Sequence, residues 1–160
     1  MNMLRAIASA VILWSAFVPR LSAQVRVTVP AKKFATSDKI TATVENDGDQ
    51  PVTMCVESGQ ISKTGQAVVS SPVPFLIEGK VHETSWKPLL ISPEGGGSHS
   101  VAVLQTKQSL PFPFWPPATG ELRLQLRYWQ GAHPQMDCAH PPAGSHNAKP
   151  ATVKIHMKLE

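Results

Sequence analysis

Hydrophobic and polar residues alternate one by one along much of this chain, which is the pattern of half-buried β-strands. The clearest stretches are residues 25–29, 40–44, 52–56, 98–107, 121–129 and 153–159. No stretch after residue 23 repeats its apolar positions with the 3.6-residue period of an amphipathic helix. The pattern therefore predicts an all-β domain.

Turn-forming residues separate these stretches. Asp47-Gly48, between the second and third stretches, has the chemistry of a tight hairpin, and residues 95–97 are three glycines. Prolines recur between residues 64 and 93, where 67–70 and 74–77 are short strand candidates. About seven short strands with turns between them favour one antiparallel, two-sheet sandwich.

The N-terminus has the three parts of a secretory signal peptide. A basic start containing Arg5 precedes an apolar run over residues 6–18, and Ala23 supplies the small residue that a signal peptidase needs. We therefore expect a leader over residues 1–23 and one domain over residues 24–160. The apolar run is shorter than the roughly 20 residues of a membrane-spanning helix, and no other run approaches that length. The expected location is the periplasm or the extracellular space.

Composition narrows the function classes. The chain carries a formal charge of +4, and loss of Arg5 and Arg20 with the leader reduces it to +2. Because nucleic-acid-binding proteins concentrate many cations on one face, this small surplus does not favour such a partner.

Two segments carry the resemblance of this chain to a known architecture. Residues 39–46 with 51–53, and later residues 120–128, resemble the strands of a bacterial secreted immunoglobulin-like domain. The chain is also loosely similar to the proteinase-inhibitor type of such sandwiches. The resemblance implies a two-sheet immunoglobulin-like fold, and it carries over no active site.

The two cysteines of the chain are Cys55 and Cys138. A single pair in an exported protein favours a disulfide. If Val52, Met54 and Val56 face the core, Cys55 faces outward, and the long connection over residues 130–150 can fold across that face. The bridge would then hold a proline-rich loop in place.

The same connection offers a second interpretation. It contains five side chains of the kinds that bind copper or zinc: His133, Met136, Cys138, His140 and His146. Their spacing matches no standard zinc pattern, and a disulfide would remove the thiolate of Cys138. We therefore expect no cofactor, with a copper or zinc protein as the alternative.

A proline–aromatic segment over residues 110–117 is the other candidate surface. Phe112, Phe114 and Trp115 lie between prolines, and this combination favours a rigid loop that recognises a partner. Outside this segment, Trp129 is a further partner-binding candidate. The structural alternative is that the two phenylalanines pack against the core and Trp115 caps it.

Two further interpretations concern charge and catalysis. If the last two strands pair, one outward face carries Arg123, Arg127, Lys154 and Lys158 and could attract an anionic partner, although an ordinary solvated face is the better explanation. We find no motif of a serine hydrolase, a zinc protease or a phosphate-binding loop.

The sequence thus predicts a secreted, non-catalytic binding or structural module that acts through its loops on a protein or cell-envelope partner.

Overall fold

A computed structural model describes residues 25–58, 61–62, 72–91 and 98–157. Every regular element in these ranges is a β-strand, which confirms the predicted all-β fold. In the same ranges no helix is long and apolar enough to cross a membrane. Several predictions lie outside the described residues: the leader over 1–23, the strand at 67–70, the glycine turn at 95–97, and Lys158.

The described ranges contain thirteen strands, more than the roughly seven expected. Their bounds are β1 Val25–Thr28, β2 Lys33–Ala35, β3 Ile40–Asn46, β4 Val52–Ser58, β5 Ile61–Ser62, β6 Phe75–His82, β7 Ser85–Pro88, β8 Leu90–Ile91, β9 Ser98–Leu104, β10 Ser109–Phe114, β11 Gly120–Gln130, β12 His146–Asn147 and β13 Ala151–His156. The surplus comes from very short edge strands, since four of the thirteen have only two or three residues.

The strands form two principal sheets. The smaller sheet has the order β1-β3-β10, and both of its ladders are antiparallel. The larger sheet follows the path β2-β13-β11-β4-β9. Strands β6 and β12 also pair with β11, and β7 pairs with β6. Only the β2–β13 ladder is parallel. A separate ladder joins β5 to β8.

The long strand β11 is the axis of the larger sheet. Its first half lies between β13 and β6, so that Leu122 is opposite both Val153 and Gly79. Its second half lies between β12 and β4, where Trp129 is opposite Thr53. One strand therefore has different neighbours at its two ends.

The core is the space between the two sheets. Every second residue of the central strands is buried there, as the alternation predicts; examples are Ile40, Val44, Met54 and Leu124, each with no exposed surface. Burying a side chain of this size contributes about 1.5–3 kcal/mol. Phe75 of the larger sheet meets Phe114 of the smaller one edge-to-face, with ring centroids 5.5 Å apart.

The predicted hairpin at Asp47-Gly48 is wrong. Strands β3 and β4 do not pair with each other, because β3 lies between β1 and β10 while β4 lies between β11 and β9. The connection over residues 46–52 instead crosses from the smaller sheet to the larger one. The connection from β9 to β10 crosses back beside it.

Asn46 joins these two crossings. Its buried side-chain Nδ2 donates to the carbonyl oxygens of Gln50 (2.8 Å) and Gln105 (3.2 Å), and its Oδ1 accepts from the backbone N–H of Gly48 (3.1 Å). Its backbone N–H donates to the carbonyl oxygen of Gln108, and its own carbonyl accepts from Lys107. A single residue thus satisfies polar backbone groups from both connections.

The last strand ends earlier than the alternation predicts. Met157 was expected to face inward, yet it is 69% exposed. The ladder with β11 ends at Ile155, opposite Gly120, so Met157 extends past the sheet that would have buried it.

We expect Asn46→Ala to lower the free energy of unfolding by about 2–3 kcal/mol, because it removes from a fully buried position the side-chain hydrogen bonds that join the two connections. Urea denaturation followed by circular dichroism measures the change. Asp49→Ala, at an exposed position of the same connection, should stay within about 0.5 kcal/mol of the parent protein. Equal stability of the two variants would contradict a structural role for the Asn46 amide.

Candidate functional site

The proline–aromatic segment is a strand, not a loop. Residues 109–114 form β10 and pair with β3 along their whole length. Phe114 is completely buried and Phe112 packs partly buried against the core. The proposal that Phe114 contacts a partner is therefore wrong, because the ring fills the space between the sheets.

Trp115 is the member of this segment that stays accessible. It is 41% exposed just after β10, and the ammonium group of Lys39 lies 5.1 Å from the centroid of its indole ring. A cation at this distance interacts favourably with the aromatic face. Trp115 remains a candidate contact beside the end of β10.

The basic face is largely neutralised by acidic neighbours. β11 and β13 do pair, but the Nε of Arg123 lies 2.7 Å from a carboxylate oxygen of Glu78, and its guanidinium stacks 4.6 Å from the ring centroid of Trp86. Lys154 is opposite Glu121 in the ladder. The charge of Arg123 is therefore balanced by Glu78, whereas Arg127 of the same predicted face lines the cavity described below.

The disulfide is present as predicted. Cys55 faces outward on β4, between the buried Met54 and Val56, and its Sγ is bonded to that of Cys138. The two Cα atoms are 5.7 Å apart, within the usual span of a disulfide. Residues 131–145, here called the disulfide loop, are in this way joined to the outer face of the larger sheet.

The base of the disulfide loop is also held by hydrogen bonds. The buried hydroxyl of Thr53 donates to the carbonyl oxygen of Gly131 and accepts from the backbone N–H of His133, both at 2.8 Å. Gly131 has a φ of 90°, a conformation that side-chain-bearing residues rarely adopt. The N–H of Gly131 donates to Pro51. The loop therefore leaves β11 in a defined direction.

Trp129 is covered by the disulfide loop. The alternation places it outward, yet it is only 5% exposed, and its indole N–H donates to the carbonyl oxygen of Pro142 at 2.9 Å. The prediction that Trp129 is a freely exposed contact for a partner is therefore wrong. Its side chain instead anchors the loop and closes one side of a cavity.

The histidines of the loop are directed to separate partners. The Nε2 of His133 lies 2.8 Å from the carbonyl oxygen of Gln130, and the Nδ1 of His140 lies 3.1 Å from a carboxylate oxygen of Asp137. His146 stacks on Tyr128. No group of three His, Cys, Asp or Glu side chains with metal-binding geometry occurs in the part of the chain that the structure describes.

These placements bear on the copper or zinc alternative. The Sγ of Cys138 is bonded to Cys55, and the partly exposed Met136 lies in a turn closed by a hydrogen bond from its own N–H to the carbonyl of His133. A metal site made from the five predicted ligands would require reduction of the disulfide and rearrangement of the loop.

A cavity of about 220 Å³ lies beneath the disulfide loop, on the outer face of the larger sheet. Leu76, Pro74, Pro141, Trp129 and the disulfide contribute apolar surface, and Glu57, Gln125, Arg127 and Asn147 contribute polar groups. This combination of apolar walls with a few polar groups is typical of binding sites.

Strand divergence creates the cavity. β4 pairs with β11 only at Val52 and Thr53, and further along Glu57 bonds instead with the backbone of Val73. The segment leading into β6 thereby separates β4 from β11. Local alternation contains no signal for this separation, so the sequence predicted Arg127 only as part of a basic face and gave no indication of the cavity or of Gln125 in its lining.

Arg127 differs from the other arginines of the described residues. Arg26 pairs with Glu45 and Asp47, and Arg123 pairs with Glu78, whereas Arg127 is exposed at the cavity and has no ion pair there or elsewhere in the described ranges. The carboxylate of Glu57, across the cavity, lies 3.8 Å from the imidazole of His99. The cavity therefore has one cationic side available to a ligand.

Comparisons with protein-family models, with curated proteins and with solved structures found no match to this chain, and none supports the similarity to proteinase inhibitors.

We expect Cys55→Ala/Cys138→Ala to lower the free energy of unfolding by about 4 kcal/mol, because the bridge closes a separation of 83 residues in the unfolded chain. Trp86→Phe and Trp115→Phe leave Trp129 as the fluorophore of the domain. Its emission should shift to longer wavelength in the cysteine-free protein as the loop lifts. An unchanged spectrum would show that the loop does not need the bridge to cover Trp129.

The Asp137 carboxylate should titrate below the usual aspartate range, because hydrogen bonds from His140 and from the backbone N–H of Ala139 lower its pKa. A lowered pKa in the folded state means that this interaction stabilises the loop above the unfolded-state pKa and is lost as pH falls through the folded-state value. NMR titration of the carboxyl carbon measures it. The pKa should rise in His140→Ala, and an unchanged pKa would disprove the contact.

Proposed function

We propose that this chain is an exported, non-catalytic binding module that recognises a protein or cell-envelope partner through the disulfide loop and the cavity beneath it. The observation that carries the proposal is the combination of a covalently held, exposed loop with a partly apolar cavity lined by Arg127, which forms no ion pair among the described residues.

The disulfide supports export. Disulfides form and persist in oxidising compartments, such as the periplasm and the extracellular space, and are rare in the cytosol. The Cys55–Cys138 bond agrees with the signal-peptide pattern of residues 1–23. The two observations are independent, since one is an arrangement in the fold and the other is a local sequence pattern.

The loop is organised before any partner binds. The disulfide at Cys138, the Thr53 hydroxyl at its base and the indole of Trp129 hold it at three separated points. A loop that is ordered in advance loses less conformational entropy on binding, so more of the contact energy appears as affinity. Exposed residues such as Pro134 and Gln135 then present a defined surface.

The cavity favours a partner group with an acidic end and an apolar body. Arg127 offers a planar guanidinium that can hold a carboxylate or phosphate with two hydrogen bonds. Leu76 and Trp129 provide apolar surface beside it. A volume of about 220 Å³ accommodates a single large side chain or a chain terminus, so a macromolecular partner would insert one group there and contact the loop with others.

The absence of catalysis is part of the same proposal. The sulfur of Cys138 is in the disulfide, and the neighbouring His140 is bonded to Asp137. The cysteine–histidine pair that could have formed a nucleophile is therefore committed to holding the loop.

Site-specific photocrosslinking in the source cells tests the proposal. We expect a crosslinking residue at Gln135 to give a discrete adduct that mass spectrometry identifies, and one at Thr41, on the outer face of the smaller sheet, to give none. Arg127→Glu should reduce the Gln135 adduct roughly tenfold or more, because a charge-assisted hydrogen bond is replaced by repulsion.

Lys154→Glu is the matched control, since it makes the same charge change at an exposed position of the same sheet. It should leave the adduct unchanged. Equal adducts from Gln135 and Thr41, or an adduct insensitive to Arg127→Glu, would exclude the disulfide loop as the partner-binding surface.

A further inference from the structure

Strand β9 ends the larger sheet. It pairs with β4 over its full seven residues, from Ser98 opposite Ser58 to Leu104 opposite Val52, without a register shift. Within the described ranges no strand pairs with its other side. An edge of this kind presents a row of backbone N–H and C=O groups that can pair with another strand.

The other edges carry features that discourage such pairing. In the smaller sheet, Pro111 and Pro113 remove donors from β10, and β1 bonds with the backbone of Lys149. In the larger sheet, β2 has three residues including Lys33, and β7 contains Lys87 and Pro88. Lysine, proline and short length are the usual devices that keep sheet edges from associating.

β9 has none of these features. Its sequence Ser-His-Ser-Val-Ala-Val-Leu contains no Lys, Arg, Asp, Glu or Pro, and its regular ladder with β4 contains no bulge. Among the edge strands of the described residues, β9 is therefore the one at which strand addition is least opposed. The remaining question is which strand pairs with it.

We propose that β9 pairs antiparallel with β9 of a second copy of this chain, about a two-fold axis at Val101. In this register Val101 is opposite its own symmetry mate and His99 is opposite Val103. β-Branched side chains placed directly opposite each other stabilise antiparallel pairs, and no like charges meet. The strand is thus complementary to itself, which a closed two-fold dimer requires.

The dimer has a consequence for the binding surface. Val101 is opposite Cys55 in the β4–β9 ladder, so its side chain lies on the outer face that carries the disulfide loop. Antiparallel pairing keeps paired side chains on the same face. The two disulfide loops of the dimer would therefore lie on one side of a continuous sheet, and a repetitive envelope or protein surface could engage both, with a gain in avidity.

Sedimentation velocity of the oxidised exported protein over a concentration series tests the proposal, and it needs no knowledge of the partner. We expect a monomer–dimer equilibrium. Val101→Lys should raise the dimer dissociation constant roughly tenfold or more, because it sets two ammonium groups opposite each other in place of a valine pair. Thr41→Lys, an equal charge change on the smaller sheet, should leave it unchanged.

Ser100→Lys, at an exposed position of β9, gives a second test should Val101→Lys alter the circular dichroism spectrum. Hydrogen exchange of the parent protein should slow in β9 peptides as concentration rises. A protein that stays monomeric at all concentrations would overturn the proposal. So would a dimer that persists in a folded β9 variant, or one without concentration-dependent protection of β9.

Discussion

The Asn46 side chain is the contact on which the two-sheet arrangement depends. The chain passes from the smaller to the larger sheet after β3 and returns after β9, and the Asn46 amide bonds to the carbonyl oxygens of Gln50 and Gln105 in these two connections. Because the residue is completely buried, water cannot replace those bonds. The contact holds together the connections that enter β4 and leave β9, and the cavity opens where β4 separates from β11.

The disulfide holds the loop over the cavity between β4 and β11, and this gives the domain a surface suited to recognition. A proline-rich connection of fifteen residues would ordinarily lose much conformational entropy on binding. Here Cys138 is bonded to Cys55, and Trp129 and Thr53 hold the loop from below. Arg127 lies beside the same cavity, and no carboxylate among the described residues forms an ion pair with it. The loop that the disulfide holds and the guanidinium of Arg127 therefore lie at the same cavity.

Local patterns in the sequence predict some features of this domain and not others. The inward set Leu122, Leu124 and Leu126 and the pairing of Cys55 with Cys138 are confirmed, since each follows from a local period or from the number of cysteines. The hairpin at Asp47-Gly48 and the exposure of Phe114 and Trp129 were wrong. In each case a segment distant in sequence decides the outcome. The neighbours of β3 are β1 and β10, the opposing sheet covers Phe114, and the disulfide loop covers Trp129.

The amino-acid sequence by itself determined the all-β class, the face to which most strand residues point, and the disulfide, because side-chain alternation and cysteine number are local properties. Only the tertiary structure decided which strands are neighbours, that β6 enters between β4 and β11, and that Arg127 and Trp129 line one cavity. Strand pairing depends on hydrogen bonds between backbone groups that every residue carries, so side-chain alternation alone does not specify the partner strand.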